Sequence, residues 1–133
     1  MSKKRKPYKE NLLRVGDFGK DLARRSKSKC ELCEASKVKL TIYEVPPAPT
    51  VPEFEDCMLL CDHCLNTIFN IDSVKENDLR FLEGPIWSEN KIIQATAIAL
   101  LKTAEDKYSW IGDSLENIYI DDELENMISK IKF

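Results

Sequence analysis

The sequence is poor in histidine, the residue that enzymes use most often for acid–base chemistry, since His63 is the only one. No glycine-rich phosphate loop is visible, and no serine or cysteine has an identifiable base partner. No apolar run approaches the roughly 20 residues that a membrane-spanning helix needs. The start of the chain lacks the apolar stretch of a signal peptide. These absences disfavour an enzyme or a membrane protein and predict a protein of the reducing cytoplasm.

The charge is unevenly distributed along the chain, although the net charge is only −3. Residues 1–29 carry eleven Lys or Arg against three acids, a balance of +8. Residues 30–133 carry nine bases against twenty acids, a balance of −11. A basic arm on an acidic body can bind nucleic acid, engage its own body or reach a neighbouring subunit, and composition alone does not choose among these.

The basic arm offers candidate phosphate contacts, because clustered Lys and Arg displace counterions from nucleic acid. A mobile, solvated tail is the simpler interpretation of residues 3–9. From about residue 10 to residue 27 the apolar spacing predicts an amphipathic helix, which Gly16 and Gly19 weaken, so that it starts after Asp17. The candidate nucleic-acid-binding residues are Lys3, Lys4, Arg5, Lys6, Arg14, Lys20, Arg24, Arg25, Lys27 and Lys29.

Two CxxC pairs dominate the first half of the chain, one formed by Cys30 and Cys33 and the other by Cys61 and Cys64. Each pair can point two sulfur atoms at one position, and two pairs complete the tetrahedron of a structural zinc site. Disulfides are disfavoured, since five cysteines leave one unpaired and no secretory signal precedes them. A thioredoxin-like redox site needs only one such pair. The spacing therefore predicts four zinc ligands.

The segment between the CxxC pairs predicts a hairpin. Residues 38–45 alternate apolar and polar side chains, prolines at 46, 47, 49 and 52 end that strand, and residues 57–60 form a second one. The second strand leads into Cys61, and Cys64 is expected in the first turn of a helix. This order of elements is that of a treble clef, and a three-stranded zinc ribbon is the alternative interpretation. Cys57 is interpreted as a small buried residue, and His63 is disfavoured as a ligand.

The second half of the chain predicts helices. Residues 70–86 indicate one irregular helical turn and a loop. A helix then follows with Ser88 as N-cap and Trp87 packed on Ile92, and its apolar circumference indicates burial within the chain or against a partner. Apolar residues at helical spacing in residues 110–119 and 124–131 predict two more helices. The last helix is expected to start at Asp121 and Asp122.

The predicted fold is α+β: a small four-cysteine zinc module, treble clef or zinc ribbon, followed by an α-helical bundle. The expected divisions are a basic arm at 1–20, the zinc module at 21–70 and a helical region at 71–133 packed on it. The protein is expected to bind rather than to catalyse. Nucleic acid is the first candidate partner, and a homo-oligomer or a protein docked on the apolar helices is the alternative.

Several strings occur in an order that resembles the PhnA-like (YjdM-like) family. They are Cys30-Glu31-Leu32-Cys33, Tyr43-Glu44-Val45-Pro46-Pro47, Leu59-Leu60-Cys61-Asp62-His63-Cys64, Trp87-Ser88-Glu89 and Tyr119-Ile120-Asp121-Asp122-Glu123. The resemblance covers about residues 21–130. It implies an N-terminal zinc module with Cys30, Cys33, Cys61 and Cys64 at the ligand positions, and it implies no phosphonate chemistry.

Two departures from that family stand out. Family members commonly continue into a small SH3-like domain, and this sequence stops before that domain would begin. Residues 1–20 are also not part of the shared pattern. A degenerate HNH-nuclease-like treble clef is the least favoured interpretation. In those enzymes a histidine at the end of the first strand acts as the base, whereas Tyr43-Glu44-Val45 stands here.

Overall fold

The computed structural model describes residues 15–133. Five candidate nucleic-acid-binding residues, Lys3, Lys4, Arg5, Lys6 and Arg14, lie outside the described residues. The α-helices and strands follow in the order α1 (Gly19–Ser26), β1 (Leu40–Glu44), β2 (Cys57–Cys61), α2 (Asp62–Phe69), α3 (Lys91–Thr103), α4 (Ser109–Glu116) and α5 (Asp122–Lys130). The protein is therefore a mixture of helices with one small hairpin.

The strands β1 and β2 form a two-stranded antiparallel sheet, as the alternating pattern predicts. Leu40 pairs with Cys61 at one end of the ladder, and Glu44 pairs with Cys57 at the other. The amide of Val45 donates to the carbonyl of Asp56 at 2.9 Å and closes the base of the connecting loop. Every residue of β2 is buried, so this strand lies between two layers rather than at the surface.

The two faces of the hairpin pack against different elements. Cys57 and Leu59 form a small apolar cluster with Val15 and with Leu22 of α1. Met58 and Leu60, which point to the opposite face, belong to a large cluster that continues into α2 and into the helices of the second half. Adjacent residues of a strand face opposite sides, so β2 contributes to both clusters. It thereby connects α1 to the rest of the protein.

The helix α3 is the centre of the second half. It packs against α5, α4 and the turn at Pro85–Trp87. Its buried residues cover most of its circumference: Ile92, Ile93, Ala95, Thr96, Ala97, Ile98, Ala99, Leu100 and Leu101. A helix that is apolar all round must be covered, and here the described chain itself covers it.

Short 3₁₀ turns connect α2 to α3, where the sequence predicts one irregular turn and a loop. They lie at Ile71–Ser73, Glu76–Asp78, Arg80–Glu83 and Pro85–Trp87. Their anchors are Leu79, Leu82 and Ile86, which are at most 1% exposed. A 3₁₀ turn needs no long periodic pattern, which is why apolar spacing over so short a range does not reveal it.

The predicted N-cap of α3 is wrong, whereas that of α5 is confirmed. Asn90 caps α3, since its Oδ1 accepts from the amide of Ile92 at 3.2 Å. The hydroxyl of Ser88 instead accepts from the amide of Asn90 at 3.1 Å, and Trp87 is 58% exposed, so no staple is made. Asp121 caps α5, because its Oδ1 accepts from the amide of Leu124 at 2.8 Å.

Among residues 15–133, no helix combines the length and the apolar character that crossing a bilayer would demand.

Candidate metal centre

The first CxxC pair lies in a tight turn just after α1. The amide of Cys30 donates to the carbonyl of Ala35 at 3.0 Å, and the amide of Glu34 donates back to the carbonyl of Cys30 at 2.9 Å. Glu34 adopts a left-handed backbone with φ of 63°. These bonds curl the backbone so that the sulfur atoms of Cys30 and Cys33 face the same side.

The second CxxC pair lies at the junction of strand and helix. Cys61 is the last residue of β2, and Cys64 is in the first turn of α2. The prediction that Cys64 lies in the first turn of a helix is confirmed, since α2 begins at Asp62. The amide of Cys61 points at the sulfur of Cys30 with an N–Sγ distance of 3.4 Å, which connects the two pairs directly.

The four sulfur atoms converge. The Sγ atoms of Cys30, Cys33, Cys61 and Cys64 all lie within 4.8 Å of one another. The Cys30–Cys64 and Cys33–Cys61 pairs are each 3.6 Å apart. A zinc ion bound tetrahedrally at about 2.3 Å from each sulfur would separate them by about 3.8 Å. The cysteines are thus arranged to hold one metal ion, and their spacing is compatible with structural zinc.

The pKa values of the cysteine thiols reflect how close the sulfur atoms lie to one another. The pKa of Cys30 is lowered to about 4, chiefly by the hydrogen bond shared with Cys64, against the opposing effect of burial. The pKa of Cys64 is raised by that bond and by burial, and burial raises the pKa of Cys33 to about 11. Sulfur atoms this close cannot all be anionic unless a cation lies among them, which is the donor chemistry of a four-thiolate metal site.

Arg25 and Glu31 fasten α1 to this site, a feature that the sequence does not predict. The guanidinium of Arg25 donates to both carboxylate oxygens of Glu31, at 2.7 and 2.9 Å. It also donates to the carbonyl of Cys57 at 2.8 Å and lies 5.1 Å from the ring centre of Phe54. Glu31 accepts a further bond from the amide of Leu59. The turn that carries the first CxxC pair, residues 30–35 and called the knuckle below, is thereby linked to β2 through one buried carboxylate.

The described basic candidates divide into two kinds. The Arg25 side chain is only 24% exposed and its donors are engaged within the fold. The Arg24 side chain is 80% exposed and, within residues 15–133, its one ion pair is with Asp21 at i,i+3, at 3.6 Å. The lysines of this region, Lys20, Lys27 and Lys29, are exposed. Among the described candidates, the exposed cations are therefore Arg24 and these lysines.

Cys57 and His63 lie outside the cluster of sulfur atoms. Cys57 is completely buried against α1, with its Sγ 3.5 Å from the carbonyl of Glu53. His63 is exposed and packs edge-on against Phe81 with 6.0 Å between ring centres. Both placements agree with the expectation that neither residue is a ligand.

Comparison with known proteins gives no further assignment. No family model matches the chain, and neither a curated protein nor a solved structure matches it. The resemblance to the PhnA-like family therefore stays a prediction, and the four clustered cysteines are the feature that indicates a function.

Proposed function

We propose that the protein is a zinc-stabilised, treble-clef-like binding protein of the PhnA-like family, which contacts nucleic acid through its basic arm. The convergence of four sulfur atoms from two CxxC pairs carries the zinc proposal. The choice of treble clef over zinc ribbon rests on the order of elements. A knuckle, a two-stranded hairpin and a helix that begins at the second pair follow one another.

The zinc would act as a structural ion. All four positions of a tetrahedral site are supplied by cysteine, so no position is open for a substrate or a water molecule. Cys30, Cys33, Cys61 and Cys64 would hold the ion, and its binding energy would stabilise the knuckle and the hairpin. This arrangement favours binding over catalysis.

Metal analysis of the purified chain tests the zinc proposal. We expect one zinc ion per chain by plasma mass spectrometry, and X-ray absorption should show four sulfur neighbours at about 2.3 Å. A preparation that refolds fully without metal, or that contains disulfides between these cysteines, would contradict the proposal.

Nucleic-acid binding is proposed because of the position of the basic residues relative to this module. Arg24, Lys27 and Lys29 are exposed and directly precede the first knuckle, and the N-terminal residues add further cations. The acidic remainder of the chain disfavours a broad binding face. Binding would therefore be driven by the arm, weakly selective for sequence and steeply dependent on salt.

Fluorescence anisotropy with a short labelled DNA duplex tests this proposal in a variant with Lys3, Lys4, Arg5 and Lys6 changed to Gln. The slope of log affinity against log salt should fall by roughly 3 to 4 units, about 0.9 for each lost cation. Arg24→Gln should remove about one further unit. Arg25→Gln, a matched loss of charge at an engaged side chain, should leave the slope of the folded protein nearly unchanged. Absence of binding at low salt would refute the proposal.

A protein-interaction role through the apolar helices is less favoured. The apolar residues of α3 are buried within the described chain, which removes the main reason to expect a partner there. Light scattering that shows association over a concentration series would restore this alternative. The nuclease alternative is also weak, because Glu44 is buried at the end of β1 and His63 lies on another element.

A further inference from the structure

The segments that enter and leave the knuckle lie side by side. Lys29, just before the knuckle, forms an isolated antiparallel bridge with Ser36, just after it. Partners in such a bridge have Cα atoms about 5 Å apart. Four lysines lie within three residues of this bridge and are called the knuckle lysines: Lys27, Lys29, Lys37 and Lys39. The bridge therefore groups cations from two separate stretches of the sequence at the base of the knuckle.

The knuckle lysines are available to an external anion. All four are exposed. None of the ion pairs within residues 15–133 includes a knuckle lysine, whereas Arg25 is held by Glu31 and Lys91 by Asp121. An anion that meets the knuckle lysines therefore displaces no carboxylate from them.

The charge around the knuckle is positive, in contrast to the rest of the described chain. Residues 20–39 carry seven Lys or Arg against three acids, a balance of +4. One of these acids, Glu31, is buried and bound to Arg25, so only Asp21 and Glu34 are exposed. Residues 40–133 carry seven bases against eighteen acids, a balance of −11. The knuckle is therefore the place where the folded part of the chain attracts a polyanion.

Hydrogen bonds hold the backbone on both sides of this surface. The amide of Ser28 donates to the carbonyl of Ala23 at 2.9 Å, which ties the segment before the knuckle to α1. The amide of Glu31 donates to the carbonyl of Leu59 at 2.8 Å, which ties the knuckle to β2. Because the backbone that carries the lysines is already ordered, binding through them costs little further backbone entropy.

We propose that the knuckle lysines form a phosphate-binding surface on the folded module, and that its partner is the sugar–phosphate backbone of a nucleic acid. The inference rests on the proposed nucleic-acid binding and deepens it, because it adds Lys37 and Lys39 to the contacts and extends them beyond the arm. Several separate cations with few acids among them match a chain of regularly spaced phosphates. Phosphate contacts position a protein without reading the bases, so this surface adds no sequence selectivity.

The salt dependence of DNA binding by the full chain tests this surface, with fluorescence anisotropy of a short labelled duplex. Lys37→Gln combined with Lys39→Gln should lower the slope of log affinity against log salt by about 1.8, about 0.9 for each lost cation. Lys75→Gln combined with Lys130→Gln removes the same charge from two exposed lysines elsewhere and should leave the slope unchanged. Lys39→Gln alone, which spares the left-handed backbone at Lys37, should lower the slope by about 0.9.

Acetylation of lysine amines in the native chain, with and without the duplex, locates the contact directly. An acetylating ester modifies accessible amines, and peptide mass spectrometry then identifies the modified residues. The duplex should protect Lys37 and Lys39 as strongly as the two knuckle lysines that precede them. The control lysines, Lys75 and Lys130, should stay equally reactive with and without the duplex.

The outcomes separate this inference from the binding proposed for the arm. A chain that binds no duplex at low salt would refute both. Binding with the same salt slope in the two double variants would refute this inference alone, and so would protection confined to the lysines before the knuckle. Preference of the native chain for phosphatidylserine vesicles over the duplex would assign the surface to a membrane and also contradict it.

Discussion

Arg25 joins α1, the first knuckle and β2 through one guanidinium group. Its partner Glu31 has a side chain that is only 3% exposed. Removal of the arginine would leave this carboxylate buried without its cation, and breaking such a pair typically costs 3 to 5 kcal/mol. Because Arg25 itself is partly exposed, we expect Arg25→Gln to lower the free energy of unfolding by about 3 kcal/mol in urea denaturation.

Arg24→Gln is the matched control for that variant. Its side chain is exposed, and its ion pair in the described part of the chain is with the exposed Asp21, so the stability should change by less than about 0.5 kcal/mol. Equal effects of the two substitutions would show that the bonds between Arg25 and Glu31 contribute little.

Cys57 and Cys61 are four residues apart on β2 but have different surroundings. Only Cys61 belongs to the group of four converging sulfur atoms. We expect Cys57→Ala to retain one zinc per chain and to cost about 1 kcal/mol for the lost buried sulfur. Cys61→Ala should lose zinc and most of the cooperative unfolding transition. Measurement of zinc content beside thermal unfolding distinguishes the two, and a Cys57→Ala variant without zinc would contradict the ligand assignment.

At the residue scale, the spacing of residues along the sequence predicts a contact only where the chemistry of the site requires that spacing. The CxxC pairs are recognisable because two thiolates of one ion must lie in one turn. Arg25 and Glu31 are six residues apart and meet only because the chain turns back between them, with Lys27 and Ser28 in left-handed conformations. Neither residue has a helical or strand spacing to its partner, so no periodic pattern identifies the pair.

The helix α5 begins with a titratable cap. The pKa of Asp121 is lowered by the hydrogen bond from the amide of Leu124 and then by the bond from the Lys91 ammonium. Since the folded protein holds this carboxylate more acidic than the ordinary value of 3.8, its stabilising effect is complete above about pH 4. This stabilisation is lost as the pH falls below that value.

Asp121→Asn tests this assignment, because asparagine also caps helices but does not titrate. We expect the variant to unfold at a lower temperature than the native protein at neutral pH, where it lacks the ion pair with Lys91. The difference should shrink as the pH falls below 4. Asp122→Asn, next to it on the exposed face of α5, should show a smaller change. A difference that grows on acidification would contradict the assignment.

At the scale of elements, regular patterns predict better than local hydrogen bonds. The hairpin, α3, α4 and α5 follow from periodicity, although β1 is shorter than the eight alternating residues suggest. The predicted start of α3 is wrong because Ser88 and Asn90 are both good caps, and Asn90 is the one that caps the helix. The 3₁₀ turn at Pro85–Trp87 uses the residues before them and moves the start of the helix to Lys91.

At the scale of the whole molecule, three of the four clustered cysteines share one core with the helices of the second half. Cys30, Cys61 and Cys64 belong to the same buried cluster as Leu100 and Ile111 of the second half. The energy of zinc binding in small modules, about 10–16 kcal/mol, is as large as the stability of a typical domain. If zinc is bound as proposed, its loss should therefore also lower the stability of the helices in the second half.

Removal of zinc by a strong chelator should unfold the hairpin and α2 and weaken the packing of α3. We expect a loss of near-ultraviolet circular dichroism, which returns when Zn²⁺ is added back but not when Mg²⁺ is added. A spectrum that does not respond to the chelator would show that the apolar core alone supports the fold.

At the scale of the whole molecule, the sequence predicts the parts better than their joining. The predicted division into a zinc module and a helical region rests on the change in pattern near residue 70 and stays a prediction. The large cluster nevertheless runs through both regions, because the inner face of β2 packs towards α3. That contact is between distant segments and follows from the three-dimensional path of the chain, which single-sequence periodicity does not encode.

The position of Cys61 at the end of the ladder has one more consequence. A slip of β2 by a single residue would turn its side chains over and carry this sulfur away from its three partners. A bound ion would thus act as a clamp on strand alignment. Length changes in the proline-rich loop between Val45 and Asp56 should be well tolerated, while an insertion within the five paired residues should abolish assembly of the site.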